Sequence, residues 1–187
     1  MAARAITPAP HHAHAVQFYR DDNGLLTTVS RFVREGLGAK QPIIVIATAE
    51  HRASLAQRLV HDGLPRDYFE REGLLWLLDA REVLATFMDG RVPNPDRFRA
   101  SVGDLITAAR ATCAGGRTVR AYGEMVDILW KEGNPEGAIR LEGLWNMLAA
   151  SEHFMLLCGY SMGNFYKECG GFDIGDVCKA HAKVLPA

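Results

Sequence analysis

Short apolar runs alternate with longer amphipathic stretches along most of this chain, and that alternation restricts the fold to βα units wound around a mainly parallel sheet. The clearest unit begins with PIIVIAT at 42–48, apolar and β-branched as a strand covered on both faces must be. Residues 50–61 follow with helical periodicity, ended by Gly63. Upstream, residues 15–19 read as a strand. Asp21 and Asp22 then cap a helix in which Leu25, Leu26, Val29, Phe32 and Val33 recur at helical spacing, with Gly36 and Gly38 as its stop. Further strands are expected over 74–78, 118–122 and 154–160, and helices over 81–88, 95–111, 125–131 and 136–150. GRVPNPD at 90–96 reads as a turn that places Pro95 in the first turn of a helix. Past residue 160 the pattern weakens to a helix near 162–168, a Gly-Gly break and a helix near 173–182. The expected fold is therefore α/β with three layers: a mainly parallel central sheet of about five or more strands, flanked by helices. It occupies 14–187 as a single domain, behind a flexible leader at 1–13.

Composition excludes several classes of function. With 21 Lys+Arg against 22 Asp+Glu, the formal net charge of -1 leaves no basic footprint for a nucleic-acid backbone. No apolar run approaches the roughly 20 residues that span a bilayer. Cys113, Cys158, Cys169 and Cys178 form no CxxC pair, and the start of the chain lacks a secretory signal, so reduced thiols and a cytoplasmic location are expected.

In open α/β sheets, ligands sit beyond the carboxyl ends of the strands. The residues there are unusually polar and aromatic: Phe18, Tyr19, Arg20 and Asp21; Thr48, Glu50 and His51; Asp79; Tyr122, Gly123 and Glu124; Cys158 and Tyr160. Each also has a plain structural role open to it, Asp21 and Asp79 as helix caps, Tyr19 and Tyr160 as packing residues, Glu124 as a carboxylate at a helix start. A phosphate-binding fold would place GxxxxGK[ST] after the first strand, but the chain reads FYRDDNGLL. Two aspartates there repel phosphate and no Lys stands in reach of it, so nucleotide hydrolysis is disfavoured and no catalytic residue is expected. Glu50 or Glu124 with His51 could in principle serve as acid and base. No GxSxG elbow is present, and Cys158, inside an apolar strand, reads as a small buried hydrophobe. Neither HHAH at 11–14 nor Cys169, Cys178 and His181 have the spacing of a tight metal motif, and no metal site is expected. Within LEGLWN at 141–146, Glu142, Trp145 and Asn146 share one helix edge, although Trp145 alone reads as core.

HAVQFYRDDNGLL at 14–26, PIIVIATAEH at 42–51, LLDARE at 77–82, RAYGEMVDILWKEGN at 120–134, LEGLWN at 141–146 and LLCGY at 156–160 together resemble the methanogen/methylotroph DcmR sensory (MEDS) domain, in order over residues 14–186. The resemblance implies a RecA/KaiC-like core, the P-loop NTPase architecture without a Walker A motif, and a sensory role toward small molecules such as hydrocarbon derivatives. It carries ligand-binding positions onto His14, Phe18, Tyr19, Asp21, Thr48, His51, Asp79, Tyr122, Glu124, Glu142, Trp145, Asn146 and Cys158, with Trp130 as a further motif position. Members often carry a DNA-binding or kinase-type output module. Here the expected partners are a small-molecule effector and a separate regulatory protein, a kinase or transcription factor, with self-association open and no cofactor specified. A ligand-free interaction module is the alternative reading.

Overall fold

A computed structural model describes residues 14–112, 116–166 and 171–185; the leader, Cys113 and Cys169 lie outside the described residues. In chain order the elements are β1 (His14–Tyr19), α1 (Asp22–Gly38), β2 (Ile43–Ala47), α2 (Ala49–His61), α3 (Arg66–Arg71), β3 (Leu75–Asp79) and α4 (Ala80–Phe87). A small hairpin of β4 (Met88–Asp89) and β5 (Val92–Pro93) leads into α5 (Pro95–Phe98), a π-turn over Arg99–Gly103 and α6 (Asp104–Ala111). The second half holds β6 (Arg120–Gly123), α7 (Met125–Lys131), α8 (Pro135–Glu152), β7 (Met155–Ser161), a 3-10 turn (Met162–Tyr166), α9 (Ile174–Ala180) and β8 (Lys183–Leu185).

Six strands form one parallel sheet in the order β3-β2-β6-β7-β1-β8. β2 is buried along its whole length, as its unbroken apolar run requires. One face of the sheet packs α1, α2 and α3 through Leu25, Val29, Val33, Leu55 and Leu59. The other face packs α4 to α9 through a larger core that includes Phe87, Phe98, Ile106, Leu141, Trp145 and Val177. The architecture is the expected three-layer α/β arrangement.

Details depart from the sequence reading for local reasons. The turn at 90–96 folds back on itself as β4-β5, with Gly90 at φ +59 making the corner. Gly36 does not stop α1, which runs on to Gly38. A Cβ at Gly36 would collide with the side chains of Ile43 and Arg120, so its smallness lets the helix lie close to the sheet. The helix expected over 95–111 is broken by the π-turn, which keeps Phe98, Val102 and Ile106 all buried. The helix expected to reach 182 ends at Ala180, and Lys183–Leu185 instead extends the sheet beside β1.

Candidate functional site

Chain direction creates the site. From β1 and β2 the chain turns to the α1–α3 face, whereas from the adjacent strands β7 and β6 it turns to the opposite face. Crevices therefore open at strand ends where neighbouring strands turn to opposite faces, among them one between β1 and β7 and one between β2 and β6.

Glu124, the last residue before α7, fills the β2/β6 crevice and is 1% exposed. Its Oε1 accepts the backbone N–H of Thr48 at 2.5 Å, and its Oε2 lies 2.5 Å from His51 Nδ1. The other ring nitrogen of His51, Nε2, is 3.3 Å from Asp22 Oδ1 at the start of α1. The Glu124 hydrogen bond holds the His51 pKa above the ordinary 6.5 despite partial burial. Thr48 caps α2 through its own hydroxyl, which accepts the His51 N–H. One carboxylate thus joins the end of β6, the start of α2 and, through His51, the start of α1.

Asp127 fills the β1/β7 crevice. Its carboxylate accepts from Tyr19 Oη at 2.9 Å, Ser161 N at 2.8 Å and Asn164 Nδ2 at 2.5 Å, and pairs with Lys131 Nζ at 2.7 Å. Burial, then the neighbouring Asp127 charge, push the Tyr19 pKa far up, so its hydroxyl remains a donor. Tyr19 also meets His51 edge-on, at 6.4 Å between ring centroids, which joins the two crevices into one network. Asp127 is a network position that the sequence reading missed, although a lone carboxylate inside the apolar run MVDILW is a visible signal. Below the network, Leu25, Val29, Val45, Leu55, His51 and Tyr122 line a narrow gap with no room for even a water-sized occupant. Tyr122 is 1% exposed and its hydroxyl has no hydrogen-bond partner.

The remaining predicted positions go elsewhere. Asp21 caps α1 by accepting the Gly24 N–H at 2.8 Å, which occupies an amide that a phosphate would need. Asp79 caps α4 through Arg81 N and Glu82 N, and Arg52 Nη2 sits 2.6 Å away; burial opposes ionisation there, but these donors together hold its pKa down. Glu50 is exposed and apart from the pair. Phe18 packs with Tyr160 and Phe165, and Trp130 stacks on Phe165. Trp145 meets Phe98 edge-on in the core.

His14, Glu142, Asn146 and Cys158 do not reach the strand-end network, contrary to the single crevice expected. His14 begins β1 where Tyr19 ends it, about 17 Å away along the strand at its usual rise, and the two residues project from opposite faces. His14, Glu142 and Cys158 instead meet His181, with their ligand-capable atoms all within 4.8 Å of one another. Asn146 accepts from His14 Nδ1 at 2.8 Å, and Tyr160 Oη donates to Glu142 Oε1 at 2.9 Å.

The family model for the MEDS domain, described as the methanogen/methylotroph, DcmR sensory domain, matches residues 13–182. The chain belongs to the MEDS family. The family is one of sensory domains by that description, and a sensory role follows for this MEDS chain at that level. No curated protein matches it. Among solved structures it is similar to a KaiC-like protein from the hyperthermophilic archaeon Pyrococcus horikoshii, at 13% identity and a TM-score of 0.59, over 93% of this chain and 72% of that one. At that identity the likeness speaks to the fold, which is RecA/KaiC-like. Among the described residues, no helix of this MEDS domain is long and apolar enough to cross a membrane.

Proposed function

We propose that this MEDS domain binds a small-molecule effector between α1, α2 and the strand ends, and relays its arrival to a regulatory partner such as a kinase or transcription factor. The observation that carries the reading is the Tyr122 hydroxyl, buried and unpartnered, on a side chain that lines a narrow apolar gap beside the His51–Glu124 pair. A buried hydroxyl with no partner costs about 1–3 kcal/mol, which a ligand group could recover. The occupant is small and largely apolar, with one polar group that meets Tyr122 and, at the rim, His51.

The gap is too tight for such a molecule unless α1 and α2 shift away from the sheet. That requirement links binding to shape, since an effector displaces an equilibrium only by preferring one of its states. The outer surfaces of α1 and α2 form an open groove of about 770 Å³ that includes Leu26, Arg31, Arg34 and Arg58. Leu26 lines both the inner gap and this groove, so a shift inside is presented outside.

A catalytic role is less well supported. Both Glu124 oxygens are engaged, by Thr48 and His51, and both His51 nitrogens face carboxylates. Abstracting a proton from a substrate would first have to break one of these contacts. Two aspartates at the start of α1 likewise disfavour a nucleotide phosphate there.

Native mass spectrometry of the purified chain tests the proposal, followed by thermal-shift titration with short-chain alcohols, amines and halides. A retained or stabilising compound is expected, and its effect should be lost in Tyr122→Phe while the fold persists. A compound at 100 times its Kd would add about 2.7 kcal/mol of stability. Binding that survives both Tyr122→Phe and His51→Ala would place the effector elsewhere, and no binding across the panel would favour the ligand-free interaction module.

A further inference from the structure

The cluster at the far end of β1 is separate from the effector site, and we propose that His14, Glu142, Cys158 and His181 bind one divalent transition-metal ion of the zinc class. Four separations between ligand-capable atoms define its interior: His14 Nε2 to Cys158 Sγ 3.3 Å, His14 Nε2 to Glu142 Oε2 3.3 Å, Cys158 Sγ to Glu142 Oε2 3.6 Å and His181 Nε2 to Glu142 Oε1 3.4 Å. A tetrahedral zinc ion with bonds of about 2.0–2.3 Å needs ligand-to-ligand edges of about 3.3–3.7 Å. These four separations already fall in that range, and all the ligand-capable atoms lie within 4.8 Å of one another.

Proton accounting points the same way. The Asn146 amide donates Nδ2–H to the Ala180 carbonyl at 2.8 Å, so its oxygen faces His14 and accepts from Nδ1 at 2.8 Å. The Val177 carbonyl accepts from His181 Nδ1 at 2.7 Å. In their neutral form both rings therefore turn Nε2 lone pairs inward. His181 Nε2 is buried without a hydrogen-bond partner, because its nearest neighbour is a carboxylate oxygen that cannot donate. Among the four residues, the Cys158 S–H is the single proton directed inward, and it is shared among converging lone pairs. Backbone and amide oxygens that fix the outer nitrogens of two histidines are the usual support of a metal site.

The donor set selects the ion. One sulfur, two imidazoles and one carboxylate suit zinc or a neighbouring transition metal, whereas calcium and magnesium require oxygen donors. Binding replaces the Cys158 proton with the metal and releases that proton to solvent. The thiolate and the Glu142 carboxylate then balance a 2+ ion, which leaves the buried site neutral. Four protein ligands from β1, α8, β7 and the end of α9 make a closed site, so the ion fastens the α9–β8 segment to the sheet.

The test is to strip the full chain with chelator and titrate it with cobalt(II), then with zinc. The expected result is one cobalt per chain, with a thiolate-to-cobalt charge-transfer band and the intense visible bands of tetrahedral cobalt, all displaced by zinc. Cys158→Ser should abolish the charge-transfer band, while the combined Cys113→Ser, Cys169→Ser and Cys178→Ser variant should keep it. Asn146→Ala should weaken cobalt binding by about 10–100-fold. If Cys158→Ser does not fold, His181→Ala replaces it and should lower cobalt affinity by more than tenfold. A folded wild-type chain with no charge-transfer band, a band that follows the other three cysteines, or unchanged affinity in His181→Ala would each overturn the proposal.

Discussion

His51 is held on both sides by carboxylates, and its pKa is raised above 6.5 because the Glu124 hydrogen bond outweighs burial. A group whose folded pKa is raised stabilises the fold fully below its unfolded value and loses that contribution as pH rises through the folded value. The unfolding free energy should therefore fall as pH is taken from about 6 upward. In His51→Gln that slope should flatten, and denaturant titrations at several pH values would show it; an unchanged slope would mean that His51 is not the titrating group. Asp127 presents a different case, because four donors converge on one carboxylate that is 2% exposed. Asp127→Asn places an N–H group against donors and removes the charge facing Lys131. The expected loss is about 3 kcal/mol in urea unfolding, discounted because Lys131 is half exposed. Tyr122→Phe should do the opposite, adding about 1 kcal/mol by removing a hydroxyl that has no partner.

At the scale of elements, helix starts carry much of the local instruction. Asp21 caps α1, Thr48 caps α2, Asp79 caps α4 and Asn134 caps α8, each through a side-chain oxygen that accepts a first-turn amide. Asp21 is exposed and its carboxylate serves the cap, so Asp21→Ala should cost about 1 kcal/mol and no more. A loss much above 2 kcal/mol would mean that the turn after β1 has another role. These caps and the apolar strands are the part of the fold legible in the sequence, because both follow from short-range spacing. The π-turn, the β4-β5 hairpin and β8 were not legible. The first two depend on how α5 and α6 fit the core, and β8 forms only because β1 offers it an edge. The same divide runs through the site. Glu124, His51 and Tyr19 lie at strand ends and could be read from position alone. The partnership of His14 with His181 spans nearly the whole chain and has no local spacing to reveal it.

Across the whole molecule, the two sides of the sheet are unequally held. The α4–α9 face is built around a large aromatic core, where Phe87, Phe98, Trp145 and Phe154 meet edge-on. On the other face, α2 buries only Leu55 and Leu59, and α3 buries no residue fully. Segments with few buried apolar contacts open at lower free energy than the global transition. Hydrogen exchange should therefore be fastest, among the helices on the sheet, in α2 and α3, while amides of β2, β6 and β7 exchange only with complete unfolding. This inequality suits the proposed entry of an effector under α2, since α2 and α3 can move at lower cost than α1, which buries Leu25, Leu26, Val29, Val33 and Leu37, while the aromatic face stays fixed. Effector binding should then slow exchange selectively in α1 and α2, with the α8 and β7 amides unchanged. Protection spread evenly over both faces would instead indicate global stabilisation, and the layered mechanism of relay would have to be given up.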